Sequence, residues 1–220
     1  MKKSLPANIE SRLIMSKNKT PDYFKYTTAE LDALKKKDKK LAAIIDRYGV
    51  IKREINKDVF SALVGSIISQ QISGKAADTV EARLINLCGE ITPKRIHEMD
   101  ITEIQQCGMS MRKAQYIKKA SETIYNGEVD ISGLAGKSDE EVINILSALP
   151  GIGVWTAEML LIFSLERINI LSYGDLAIRR GICKLYGHKK LTKEQFAKYK
   201  KRYSPYGSIA SLYLWELSVT

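Results

Sequence analysis

Three groups of residues in this 220-residue chain have types and spacing that could do chemistry. The first is Asp175, within Tyr173-Gly174-Asp175-Leu176-Ala177-Ile178-Arg179-Arg180-Gly181. A carboxylate beside a carbon that gains positive charge stabilises that charge and can position or deprotonate water. An aspartate ahead of an apolar helical pattern is also a good N-cap, and spacing alone favours that role. The second group is Leu149-Pro150-Gly151-Ile152-Gly153-Val154-Trp155-Thr156-Ala157. Proline stops one helix, two glycines permit a tight turn, Ile152 can plug the gap, and the next helix opens on bare amides. Such amides suit a phosphate and ignore base sequence, although the same residues equally suit an ordinary helical turn. The third group is the pair of tryptophans, Trp155 and Trp215. Their electron-rich faces suit a cationic aromatic group, while each read alone is a core-packing residue.

The elements that must position these residues read as helices throughout. After Asp58, the residues Phe60, Leu63, Val64, Ile67 and Ile68 recur at helical spacing to an end near Gln70-Gln71. Past Ser73-Gly74, the residues Ala77, Val80, Leu84 and Leu87 continue the period to Gly89. Thr92-Pro93 and Asp100-x-x-Glu103 open two short helices, and Met111 to Ile124 a longer one. Ser138-x-x-Glu141 caps the helix that leads into the Leu149 turn. Asp175, Thr192-x-x-Gln195 and Ser204-Pro205 start three more. Alternating strand patterns are scarce, and Lys35-Lys36-Lys37-Asp38-Lys39-Lys40 reads as a solvated helix face.

Composition narrows the function classes. The chain is 45% hydrophobic with a formal charge of +10, which fits a globular protein whose partner is a polyanion. Cys88, Cys107 and Cys183 form no close pair and no ligand ladder, so neither a disulfide framework nor a zinc or iron–sulfur site is expected. The start of the chain, Lys2-Lys3-Ser4-Leu5-Pro6, lacks a signal-peptide stretch, and the most apolar run, Met159 to Phe163, is far too short to cross a bilayer. The expectation is a cytoplasmic protein, nucleoid-associated if prokaryotic, with no membrane partner.

Leu149-Pro150-Gly151-Ile152-Gly153 followed by Asp175 resembles the hairpin and downstream aspartate of the helix-hairpin-helix DNA glycosylase superfamily. Ser69-Gln70-Gln71-Ile72-Ser73-Gly74-Lys75-Ala76-Ala77, Leu165 to Gly181, and Pro205-Tyr206 to Trp215 are similar to its 3-methyladenine DNA glycosylase II branch. The resemblance spans about residues 58 to 217. It implies that Asp175 is catalytic, and that Trp155, Trp215, Tyr173 and Met159 line a base pocket. It also implies that Gly151, Gly153 and Val154 meet DNA phosphate, with Lys113 a further DNA contact. Gln70, Gln71 and Ile72 match the loop that enters the gap left by a flipped nucleotide, with Gln71 as the wedge; as residues alone they equally read as a polar helix terminus. Bifunctional relatives carry a lysine where this chain has Trp155, so a monofunctional hydrolase without lyase activity, metal or cofactor is implied. Methylated purines are cationic, so stacking on tryptophan would favour them over undamaged bases.

The expected fold is all-α, two helical subdomains flanking a cleft. A six-helix barrel at 59–168 would carry the helix-hairpin-helix, and 1–58 plus 169–220 would carry Asp175. The expected function is excision of alkylated purines such as 3-methyladenine and 7-methylguanine from duplex DNA by a monomer. The alternatives are a glycosylase for hypoxanthine, uracil or an oxidised purine, and a non-catalytic DNA-binding module. The chain departs from the branch pattern at Ser172-Tyr173, Tyr203, Gly207 and Met159, positions expected at the pocket or its rim, which leaves the lesion range open.

Overall fold

The computed structural model describes residues 21–219, so residues 1–20 of the expected second subdomain lie outside the described residues. Among the described residues all regular structure is helical except two two-residue strands, Asp22–Tyr23 and Glu54–Ile55. The chain divides into two compact units, one of residues 23–53 and 166–219, the other of residue 22 and residues 54–165.

In the unit of residues 54–165, α3 (Val59–Ser69) is buried on nearly every side, as expected from its apolar run, and Asp58 caps it through the Ser61 amide at 3.0 Å. After it come α4 (Gly74–Cys88), α5 (Pro93–Glu98), α6 (Ile101–Gln106), α7 (Met111–Tyr125), a 3-10 turn (Ser132–Gly136), α8 (Asp139–Ser147) and α9 (Val154–Phe163), of which α4, α7 and α9 pack on α3. The starts follow local chemistry. Thr92 caps α5 with proline at its first position, and Asp100 with Glu103 and Ser138 with Glu141 form reciprocal capping boxes.

The other unit is built around α12 (Gly207–Val219), buried along almost its whole length, with α1 (Thr28–Lys37), α2 (Lys39–Tyr48), α10 (Leu176–Tyr186) and α11 (Lys193–Tyr203) packed on it. Helix α12 begins at Gly207, two residues beyond the expected Ser204-Pro205 start. The tightest packing is between α10 and α12, where a Cβ on Gly181 would stand 2.3 Å from the Leu214 carbonyl oxygen. Only glycine permits that approach.

The lysine run is not one solvated helix face. Asp38 divides it, ending α1 and capping α2 through the amides of Lys40 and Leu41 at 3.0 and 2.9 Å. Asp38 is only 6% exposed because its other oxygen accepts from the Tyr186 phenol (2.5 Å) and from Arg202 (2.8 Å). Burial alone would raise its carboxyl, but the hydrogen bonds from Tyr186, the Leu41 amide and Arg202 outweigh that and hold it below the ordinary aspartate value. Burial, with the Asp38 carboxylate beside it, pushes the Tyr186 phenol up.

Candidate functional site

Asp175 is the N-cap of α10, its Oδ1 accepting from the Ile178 amide at 2.8 Å, and it is 3% exposed. The segment leading to it is anchored on α12. Ser208 Oγ donates to the Arg167 carbonyl (2.5 Å) and accepts from the Ile170 amide (2.9 Å), and Ser211 Oγ donates to the Ile170 carbonyl (3.3 Å). Gly207 lets α12 come close to that segment, since a Cβ there would lie 3.2 Å from the backbone of Asn169 and Ile170. A carboxylate held by a cap on an anchored segment keeps one position, as a charge-stabilising group requires.

Trp215 lies in α12 and is 2% exposed. Tyr173 is engaged within its own unit: its ring meets Phe196 edge-on at 5.2 Å, the Arg179 guanidinium stands over it at 5.2 Å and the Lys193 ammonium at 5.9 Å. So placed, the half-buried Tyr173 packs beside the turn that leads to Asp175. Two of the departures also belong to the packing. Tyr203 is fully buried with its phenol 2.7 Å from that of Tyr186, and Gly207 serves the close approach just described.

In the other unit, α8 ends at Ser147 and α9 starts at Val154, with Leu149 and Ile152 buried between them as the expected plug. The Ile152 amide donates to the Leu149 carbonyl at 3.1 Å and closes the turn. Gly151 has φ +82, and an added Cβ would sit 2.5 Å from the Tyr116 ring, so the fold itself demands glycine there. Gly153 differs: as N-cap of α9 it has φ −91 and ψ 170, and a Cβ would meet nothing within 4 Å. No side chain caps α9, and its first residues, Val154 and Trp155, are 56% and 40% exposed. An exposed, uncapped helix N-terminus behind a bare glycine is what a phosphate oxygen needs. Met159, one turn beyond Trp155, is buried.

The loop between α3 and α4 carries Gln70, Gln71 and Ile72. Gln71 is exposed at φ +58, a left-handed conformation that costs a non-glycine residue about 1–2 kcal/mol. Gln70 faces inward, its Nε2 donating to the Gly151 carbonyl at 2.7 Å, and Ile72 is half-buried. Lys113 also turns inward, donating to the carbonyls of Ile68 (2.7 Å) and Gln70 (2.5 Å) at the end of α3. Its ammonium there satisfies carbonyls that a helix end leaves open. Sequence reasoning missed Tyr116, which backs the hairpin at Gly151; a glycine in a turn signals only that the backbone is free to turn tightly, not what lies behind it.

Cys88, Cys107 and Cys183 are free thiols, and burial pushes those of Cys88 and Cys107 up, away from reactivity. Among the described residues no group of three His, Cys, Asp or Glu side chains is arranged to hold a metal ion, and no helix is long and apolar enough to cross a membrane.

This geometry has close counterparts. The chain is 33% identical over 193 residues to DNA-3-methyladenine glycosylase 1 of Schizosaccharomyces pombe, covering 86% of this chain and 85% of that protein. Its structure matches the crystal structure of a DNA-3-methyladenine glycosidase from Bacillus halodurans with a TM-score of 0.81 at 34% identity, covering 90% of this chain and 93% of the other. The Schizosaccharomyces pombe 3-methyladenine DNA glycosylase in complex with abasic DNA matches at a TM-score of 0.74 and 32% identity, covering 86% and 96% of the two chains. Residues 64–205 match the HhH-GPD superfamily of base excision DNA repair proteins, a span that contains the hairpin, the Gln71 loop and Asp175. The chain belongs to the HhH-GPD superfamily of base excision DNA repair proteins.

Proposed function

We propose that this chain is a monofunctional DNA glycosylase that flips alkylated purines, 3-methyladenine and 7-methylguanine, out of duplex DNA and hydrolyses their N-glycosidic bonds. The observation that carries the reading is the likeness to 3-methyladenine glycosylases over most of the chain, at 33% identity to one relative and 34% to a solved structure. The hairpin amides behind Gly153 hold a backbone phosphate, and Gln71 enters the gap left by the flipped base. Asp175 stabilises the positive charge that develops on the deoxyribose as the base departs, and positions the attacking water. The indoles of Trp155 and Trp215 suit a cationic base, and Met159 is a further residue proposed for its recognition.

Alkylation supplies much of the leaving-group activation, so no strong general acid is required of the protein. With Trp155 in the first turn of α9 where a bifunctional enzyme would place its lysine, no Schiff base forms and the product is an abasic site. The enzyme acts as a monomer in the cytoplasm, at the nucleoid in a prokaryote, and needs no metal or cofactor.

The test is base release from a duplex carrying methylated purines, without metal, comparing the wild type with Asp175→Asn. Release that leaves alkali-labile abasic sites and disappears in the variant supports the reading. Binding without release by the wild type points instead to a non-catalytic module, and release only from hypoxanthine, uracil or oxidised-purine duplexes to a different lesion.

A further inference from the structure

Within the unit of residues 54–165, the hairpin and the Gln71 loop are joined by a short chain of contacts that begins on α7. Lys113, in the first turn of that helix, donates to the Ile68 and Gln70 carbonyls at 2.7 and 2.5 Å, so it closes the open end of α3. Gln70 in turn donates through its side-chain amide to the Gly151 carbonyl in the hairpin at 2.7 Å. Gly151 rests against Tyr116, one turn beyond Lys113 on α7. Tyr116 is itself fixed by Arg112, whose guanidinium stacks 5.4 Å from the ring centre while its Nε donates to the phenol oxygen. One face of α7 therefore holds both turns, and Gln70 ties them to each other.

The residue after this tether is Gln71, exposed and at φ +58. A glutamine keeps that backbone only if its surroundings impose it. The hydrogen bonds to the Gln70 carbonyl and from the Gln70 amide fix the residue immediately before it, on both its main chain and its side chain.

We infer that Lys113 and Gln70 are positioning residues that hold Gln71 ready for insertion into the duplex and couple its placement to engagement of the hairpin. The inference rests on the glycosylase reading above. Lys113 thus acts on flipping and not as a phosphate contact, and Gln71 needs no rearrangement when the hairpin meets the backbone. The Lys113 ammonium is held by helix-end carbonyls and is not the group that displaces a counterion from DNA.

The two roles separate by salt dependence. A lysine on a phosphate contributes roughly 0.9 to the slope of log affinity against log salt concentration, and its removal lowers the slope by about that amount. A tether contributes nothing to the slope. The experiment measures binding of the full chain to a duplex with a tetrahydrofuran abasic analogue over a salt series. Base flipping is followed in parallel through 2-aminopurine placed beside a 7-methylguanine, and single-turnover excision on the same duplex.

For Lys113→Met the expected result is an unchanged salt slope, loss of the 2-aminopurine signal and a fall in excision rate of about 10- to 100-fold, the scale of a small misplacement of reacting groups. Lys113→Arg, which keeps the donors, restores most of the signal. Gln70→Met leaves the Lys113 bonds to main-chain carbonyls intact and is expected to move flipping in the same direction. A slope lowered by about 0.9 with flipping retained overturns the inference. So does full flipping and excision by Gln70→Met, which decides the matter if Lys113→Met does not fold. Failure of the wild type to flip or excise sinks the glycosylase reading instead, before any variant is compared.

Discussion

The two hairpin glycines are two residues apart and should respond to alanine in opposite ways. Gly153 has φ −91 and ψ 170, which any residue adopts, and an added Cβ would meet nothing within 4 Å, so the fold gives no reason for glycine there. Alanine is a slightly poorer N-cap than glycine but loses less backbone entropy on folding, and these effects nearly cancel. The expected stability change for Gly153→Ala is therefore within about 0.5 kcal/mol. Binding is another matter, because the Cβ stands at the exposed, uncapped start of α9 where the phosphate must approach. Losing a charge-assisted hydrogen bond costs about 1.5–3 kcal/mol, which is about a 10- to 150-fold weaker dissociation constant. In Gly151→Ala the left-handed backbone alone costs about 1–2 kcal/mol, and the Cβ 2.5 Å from Tyr116 must also displace the ring. Fluorescence anisotropy with an abasic-analogue duplex at fixed salt, beside thermal melts of each variant, reads both quantities. Gly153→Ala melting like the wild type and binding equally well would refute the phosphate role of the hairpin; a lowered melt would show that this glycine serves the fold after all.

Asp175→Asn keeps an equally good N-cap, so it should fold and bind DNA while excision falls by about 10²- to 10⁴-fold. Asp175→Ala should lose excision and also about 0.5–2 kcal/mol of stability, and a difference in melting between the two variants measures the cap alone. Gly181→Ala drives a Cβ against the Leu214 carbonyl at 2.3 Å and should cost about 1–3 kcal/mol, seen as a melting temperature lower by roughly 2–12 °C; an unchanged melt would mean that α10 and α12 can separate freely. The Asp38 carboxyl titrates lower folded than unfolded, so its stabilisation is present above the unfolded aspartate value and is lost as pH falls through the folded one. Asp38→Asn keeps the cap on α2 but loses the charged acceptor for Tyr186 and Arg202. It should be less stable by about 1.5–3 kcal/mol at pH 7, with the gap closing below about pH 4 in denaturant titrations, and a gap that persists there would show that the charge was not the cause.

What the sequence displayed was mostly local. The capping boxes at Asp100, Ser138 and Thr192 and the proline start after Thr92 lie within three residues of the amides they satisfy, and the structure forms each of them. The hairpin was legible for the same reason. What stayed hidden depends on partners distant in sequence. Asp38 looked like one member of a solvated charge run, yet its partners are Tyr186 and Arg202, 148 and 164 residues away. Lys113 stands near a helix start with nothing beside it in sequence to announce its partner, and it reaches back 45 residues to Ile68. Tyr203 and Gly207, two of the departures from the branch pattern, have packing partners that their own segment does not announce: a buried phenol against Tyr186 and a close backbone contact with Asn169 and Ile170. A side chain's type announces which bonds it can make, and only packing decides where it spends them.

Asp175 shows how a local reading can be right and incomplete at once. The N-cap and the proposed catalytic role draw on one carboxylate and can coexist. The bond from the Ile178 amide to Oδ1 gives the carboxylate a defined rotamer at the start of a helix packed so closely on α12 that a Cβ at Gly181 would stand 2.3 Å from the Leu214 carbonyl oxygen. The preceding segment is pinned to α12 by Ser208 and Ser211, so the main chain is restrained on both sides of the residue. A group that must meet a short-lived positive charge gains nothing from freedom, because reorganisation during the reaction adds to its barrier. Capping is thus the means by which this fold would hold the carboxylate ready, and the small glycine at position 181 and the serines of α12 belong to the same device although none of them would touch the substrate.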